Sequence, residues 1–141
     1  KGGRGIKAED AADHIFGYAV GLDMTRRDLQ TEMKKQGRPW CIGKGYDHSA
    51  PIGPITPAAE AGDVANAAIW VQVNGSDRQR STVAKLIWNI AETIEHLSNA
   101  WELQPGDLIY TGTPEGVAAV VKGDTMSGGV DGLTGITVKV A

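Results

Sequence analysis

Cysteine is almost missing: Cys41 is the single thiol among 141 residues. No internal disulfide can form, and a reducing compartment, the cytoplasm, fits best. No apolar run approaches the roughly 20 residues that a membrane-spanning helix needs. No apolar segment follows Lys1-Gly2-Gly3-Arg4-Gly5, so this start lacks the core of a signal peptide. An excess of one charge is missing too. The formal charge of −3 offers no basic face for nucleic acid or an anionic membrane. No internal repeat, low-complexity linker or zinc-spaced His/Cys cluster interrupts the chain. What remains is ordinary for a globular protein, with 41% apolar and 22% charged residues, enough for one domain with a core over residues 1–141. Lys1 stands where a natural start would have Met, in a turn-like glycine cluster, and residues upstream are expected.

Glycine is plentiful and dispersed, at 19 residues, as in a chain of short elements joined by tight turns. Ala8–His14 reads as a short helix and the apolar run Phe16–Met24 as a buried strand. Thr25 reads as an N-cap with Asp28 three residues on, opening a helix over Arg26–Gln36 that stops at Gly37. Residues 38–57 form a long irregular stretch. Ala68–Val73, the Asn74-Gly75 turn and Asp77–Ser81 read as a hairpin. Leu86, Ile90, Ile94 and Leu97 share one helical face. Asp107–Thr111 reads as a strand, and the tail as three β segments over Gly123–Met126, Gly129–Leu133 and Gly135–Val140. The fold class is therefore a β-rich α+β domain.

Three places carry chemistry. Asp23 ends an apolar strand; a carboxylate there either caps a turn, pairs with a cation or binds a ligand, because an isolated buried charge is costly. Arg26 and Arg27 occupy the first turn of the next helix, where cations oppose the helix dipole, and broken local rules mark functional sites. Arg27 and Gln30 are three residues apart on one face and could grip a small acid, whereas Arg26 reads as a solvated surface residue. Lys44 lies between Gly43 and Gly45, whose backbones can approach a ligand closely; alone it is a weak signal. Gly112-Thr113-Pro114-Glu115-Gly116-Val117 follows a strand and is either a structural turn or a place where Thr113 presents its hydroxyl. Cys41 is expected to be a buried, inert thiol, and the Leu86–Leu97 stripe to be core packing.

Taken together, Gly17–Gln30 with its Leu22-Asp23-Met24-Thr25 centre, Arg38–Asp47 with Trp40 and Lys44, and Asp107–Val117 with Thr111-Gly112-Thr113-Pro114 resemble three motifs of the fumarylacetoacetate hydrolase superfamily. The Leu-Asp-Met-Thr form and the Pro39-Trp40 pair resemble its fumarylpyruvate hydrolase and acylpyruvase branch most. The resemblance runs from about Gly17 to the end of the chain. It implies a mixed, rolled β-sheet of the fumarylacetoacetase C-terminal-like fold and hydrolytic cleavage of a carbon–carbon bond in acylpyruvate-type 1,3-diketo acids such as fumarylpyruvate. Oxaloacetate decarboxylation, isomerisation of hydroxylated diene acids, or survival as an inactive binding or dimerisation module are the alternatives. It implies Mg²⁺, or Mn²⁺ or Ca²⁺ in its place, with Asp23 as metal ligand and Lys44 beside metal and substrate. Arg27, Gln30 and Thr113 match positions that contact a small oxo-acid substrate, and a homodimer is expected. The family's paired Glu-x-Glu metal ligands and its water-activating His and Glu lie upstream of the matched segments, so the chain is expected to be the C-terminal catalytic domain, incomplete at its N-terminal end and nearly inactive alone.

Overall fold

A computed structural model describes residues 1–141. Its centre is a four-stranded antiparallel sheet in the order β4-β3-β5-β6. β3 (Ala68–Val73) and β4 (Ser76–Thr82) form the expected hairpin, with Asn74 and Gly75 both at positive φ, as a two-residue primed turn requires. Because side chains alternate along a strand, Ile69, Val71 and Val73 of β3 fall on one face. Met126 and Val130 of β5 (Thr125–Val130) and Ile136 and Val138 of β6 (Ile136–Lys139) join them. Val20, Leu22 and Met24 press onto this face, so the core lies between the sheet and the segment that ends in Asp23.

That segment is less regular than its apolar run suggests. Only Gly17–Tyr18 (β1) pairs in a ladder, with Thr56–Pro57 (β2), and Gly21 bridges Ile52. Residues 16–24 still run antiparallel to 49–58, bonded at Ala58 N–H to Phe16 O, Gly53 N–H to Val20 O, Leu22 N–H to Pro51 O and Met24 N–H to Ser49 O. Pro51, Pro54 and Pro57 have no N–H to donate and break the ladder into pieces. Phe16 is exposed rather than buried.

α1 (Arg27–Lys35) starts one residue later than expected. Arg26 holds the N-cap position without a side-chain cap, and Thr25 instead donates to Asp23 O at 3.4 Å. It ends as predicted at Gly37, with φ +64 and an Arg38 N–H to Met33 O bond, the six-to-one closure of a Schellman turn. α2 (Ile90–Ala100) opens at Asn89 in a capping box with Glu92, three residues inside the predicted start. It packs Ile90, Ala91 and Ile94 on the 3-10 helix Ala8–His14 through Ile6 and Ala11. Asp107–Thr111 forms no strand. The tail has two strands where three were expected, because β5 runs unbroken through Gly128 and Gly129. A Cβ on Gly129 would sit 2.5 Å from the Trp70 ring, so this glycine marks close packing rather than a break. The result is the α+β architecture expected, with every strand pair antiparallel. No helix is long and apolar enough to cross a membrane.

Candidate active site

The site is assembled where the ragged β1 segment, α1 and two loops meet. Leu22 is buried in the core, and the alternation of an extended chain turns Asp23 outward. Arg26 N–H bonds to Gly43 O at 2.9 Å, docking the 3-10 turn Cys41–Gly43 on the start of α1. Gly43 is buried, and a Cβ there would meet Gln30 and Arg26 backbone atoms at 3.1 Å. Only a residue without a side chain lets the turn come so close. Lys44 follows directly and reaches back to place Nζ 2.8 Å from Asp23 Oδ2, across 21 positions of sequence.

Asp23 opens into a cavity of about 570 Å³ that is also lined by Arg26, Arg27, Tyr110, Thr113 and Gln79. Arg27 donates from one guanidinium nitrogen to Gln30 Oε1 at 2.7 Å. Gln30 thus steadies Arg27 and is not itself in the cavity wall. Lys44 lies at the adjoining shallow depression with Lys34, Arg38, Trp40 and Cys41. Arg26 differs from the expectation of a freely solvated side chain: its guanidinium sits 4.2 Å above the Tyr46 ring, a cation–π contact. Cys41 is exposed rather than buried, because the turn that carries it packs through Gly43 instead. Tyr110 packs against Gly21 and donates to Ala50 O at 3.0 Å. Burial, and then the charge of Asp23, hold its phenol above the ordinary value, so it stays a protonated donor.

Gln79 is the residue that no pattern in the sequence marks. It looks like any polar residue of an edge strand, yet its amide donates to Thr113 Oγ1 at 2.9 Å and to Pro114 O. Opposite it, Gly116 has φ +99, and a Cβ there would collide with Arg78 O. The loop that carries Thr113 is therefore laid flat on β4. The only available clue is the pairing of two glycines around Thr113-Pro114, which signals close backbone approach but not its partner.

A divalent cation of the Mg²⁺ type needs about six oxygen ligands, often only one or two of them carboxylates. Asp23 offers one hard oxygen pair at the cavity edge, with Oδ2 on Lys44. No three His, Cys, Asp or Glu side chains converge anywhere in the chain. The residues present thus fit one corner of such a site.

Comparison with known proteins establishes the family. The chain is 49% identical over 140 residues to a fumarylpyruvate hydrolase of Ralstonia sp, covering 99% of itself and 72% of that protein. It is 40% identical over 138 residues to a mitochondrial oxaloacetate tautomerase of Rattus norvegicus, covering 98% of itself and 62% of the relative. The crystal structure of fumarylpyruvate hydrolase from Pseudomonas aeruginosa in complex with Mn²⁺ and pyruvate superposes with a TM-score of 0.97 at 57% identity, over 100% of this chain and 60% of that one. The fumarylacetoacetate (FAA) hydrolase C-terminal family model matches residues 1–141, and the chain belongs to that family.

Proposed function

We propose that this chain is the C-terminal catalytic domain of a metal-dependent hydrolase that cleaves fumarylpyruvate, or a closely similar acylpyruvate, into a carboxylic acid and pyruvate. The observation that carries the reading is the Lys44–Asp23 pair at 2.8 Å beside the cavity that Arg27 and Thr113 line. A carboxylate, a fixed cation and two carboxylate-binding donors meet there, as a 2-oxo acid requires. The similarity to two fumarylpyruvate hydrolases supports the choice of substrate.

Asp23 is one ligand of a divalent cation, Mg²⁺ or Mn²⁺, whose other protein ligands come from outside these 141 residues. When bound, the cation supplies Lewis-acid polarisation of the 2-oxo group. Arg27, its fork aligned by Gln30, holds the substrate carboxylate. Thr113 donates to one carboxylate oxygen. Lys44 places its ammonium where negative charge grows on the pyruvate oxygen as the bond breaks. Water adds its oxygen to the distal carbonyl. The electron pair of the broken carbon–carbon bond passes to the pyruvyl carbon, which takes up a proton. A small-molecule oxo acid is thus the partner; the single thiol supports a reducing, cytoplasmic setting, and the mild charge of −3 gives no reason to propose a nucleic-acid or membrane target. The large apolar side chains left exposed support a homodimer.

Tautomerisation or decarboxylation of oxaloacetate is the second reading, favoured by the similarity to an oxaloacetate tautomerase. Its chemistry uses the same enolate-stabilising groups without water attack. The test is direct. The enzyme containing this chain, loaded with Mg²⁺ or Mn²⁺, is given fumarylpyruvate and oxaloacetate in separate assays. Stoichiometric fumarate and pyruvate from the first supports the hydrolase; no cleavage, with rapid enol–keto exchange of the second, replaces it with the tautomerase.

A further inference from the structure

The amide of Gln79 is placed unambiguously by its neighbours. Pro114 O can only accept a hydrogen bond, so the amide face toward it must be Nε2, not Oε1. Nε2 carries two protons. One goes to Pro114 O and the other to Thr113 Oγ1 at 2.9 Å; the contact to Glu115 O, at 3.4 Å, is peripheral. An amide nitrogen does not accept hydrogen bonds. The Thr113 hydroxyl is therefore an acceptor on this side, and its own proton must point away from Gln79. The hydrogen bonds of the chain give that proton no acceptor, and Thr113 lines the cavity shared with Asp23 and Arg27.

We infer that Gln79 is a positioning residue that fixes Thr113 as a hydrogen-bond donor into the cavity, toward the carboxylate of a bound 2-oxo acid. The inference rests on the reading of the cavity as an oxo-acid site. Two features make the arrangement rigid. Gln79 is held on β4 by its pairing with Val71 of β3, next to the bulge that leaves Arg78 out of the ladder. Gly116 allows the loop to touch Arg78 O, one residue away. The hydroxyl is thus oriented before any ligand arrives, which lowers the ordering cost of binding. Gln79 also lines the cavity, but both protons of its amide are taken by the loop, so its action on a ligand runs through Thr113.

The experiment is a double-mutant cycle in the complete metal-loaded enzyme, read by pyruvate affinity in calorimetry and by steady-state kinetics on fumarylpyruvate. Gln79→Glu puts an acceptor against the Thr113 hydroxyl and draws its proton away from the cavity. It is expected to weaken pyruvate binding and raise KM by about 10–100-fold, the span of a hydrogen bond to a charged group, with kcat changed less than about threefold. Thr113→Val is expected to do the same. Gln79→Met keeps the chain length, removes both donors and is expected to give a smaller loss of about 3–10-fold, which disappears when Thr113 is already Val. The role of Gln79 is overturned if Gln79→Met leaves pyruvate affinity and KM at wild-type values, or if its effect multiplies in full with that of Thr113→Val. The latter marks mere support of the loop. Should Gln79→Glu fail to fold, the Met and Val cycle decides alone. If the wild type binds pyruvate without cleaving fumarylpyruvate and the cycle still couples, the positioning role stands and the hydrolase reading falls. If cleavage is intact and the cycle shows no coupling, the reverse holds.

Discussion

Asp23 and Lys44 make an ion pair in which both side chains keep about a third or more of their surface, 44% and 35%. A pair this wet contributes at most about 1 kcal/mol to stability, too little to explain why two loops are brought together around it. On the proposed function, its value lies in the charge it holds ready. Asp23→Asn removes the anionic ligand but little packing, so the folded state is expected to survive, as circular dichroism will register. Divalent-metal-dependent activity of the enzyme is expected to fall by at least about 100-fold, since disturbing even the neighbours of a metal ligand costs 10–100-fold. Retained activity removes Asp23 from the site. In the proposed mechanism, Lys44→Ala takes away a charge placed where the enolate forms. It is expected to lower kcat by about 10²–10³-fold while KM moves little; a change confined to KM makes Lys44 a binding residue instead. These residues are legible in the sequence because each sits against a broken local rule: a carboxylate ending an apolar run, cations at a helix start, a lysine between glycines. Gln79 breaks none, and its role comes from a loop 34 positions away. Gln30 stands out for its helical spacing from Arg27, but only geometry separates the residue that lines the cavity from the one that braces it.

Among the elements, those with local causes are the readable ones. The β3–β4 hairpin follows from alternation and Asn74-Gly75, and the end of α1 from Gly37. The broken ladder of β1 depends on having the proline-rich residues 49–58 as its neighbour, which no local pattern announces. Likewise, Asp107–Thr111 has an apolar Leu108-Ile109-Tyr110 run of strand-like composition, but composition supplies no ladder partner. The unbroken β5 depends on a contact with Trp70 that no local pattern encodes. Gly129→Ala pushes a methyl into the Trp70 ring, 2.5 Å away, and is expected to destabilise the domain by about 1–3 kcal/mol. Denaturant unfolding measures it, and Trp70→Ala in the same chain should recover part of the loss through coupling. The hairpin turn carries a pH signal of its own. Asp124 accepts from Val121 N–H at 2.9 Å and from Asn74 Nδ2 at 2.8 Å. The Val121 bond first, then the Asn74 bond, hold its carboxyl below the usual value. A depressed folded value means that the stabilisation is complete above the unfolded value near 3.9 and is lost as pH falls through the folded one. Asp124→Asn is therefore expected to lower the denaturation midpoint at pH 7 and to make a smaller difference at an acid pH below the usual carboxylate range. An equal gap at both pH values disproves the charge-based account.

At the scale of the whole molecule, the surface is out of proportion to the mass. A folded monomer of 14.9 kDa exposes about 7,000 Å² by the usual scaling, while this chain exposes 9166 Å² and buries only 15 of its 141 residues. The excess is apolar in character. Phe16 is 76% exposed, Ile87 97%, Trp101 64% and Val121 65%, with Trp40, Ile42, Ile55, Trp88 and Leu108 also exposed. Single exposed apolar residues are ordinary, but this many large ones on so small a chain signal surfaces that favour contact with other protein. The three apolar clusters are each built on only three buried residues, so the core that holds the sheet, the β1 segment and α2 together is thin. The 141-residue chain purified alone is therefore expected to bind the apolar dye ANS strongly and to sediment as concentration-dependent assemblies. If, as proposed, a longer enzyme contains it, the chain's thermal transition should also be broader and lower than that of the longer protein, whose further contacts would complete the same packing. The measurements are dye fluorescence, sedimentation velocity across a tenfold concentration range, and calorimetry of both proteins. A dye-silent monomer with a sharp transition matching that of the longer enzyme shows that the exposed residues are covered within the chain in solution. The active-site loops would then stand on a self-sufficient scaffold.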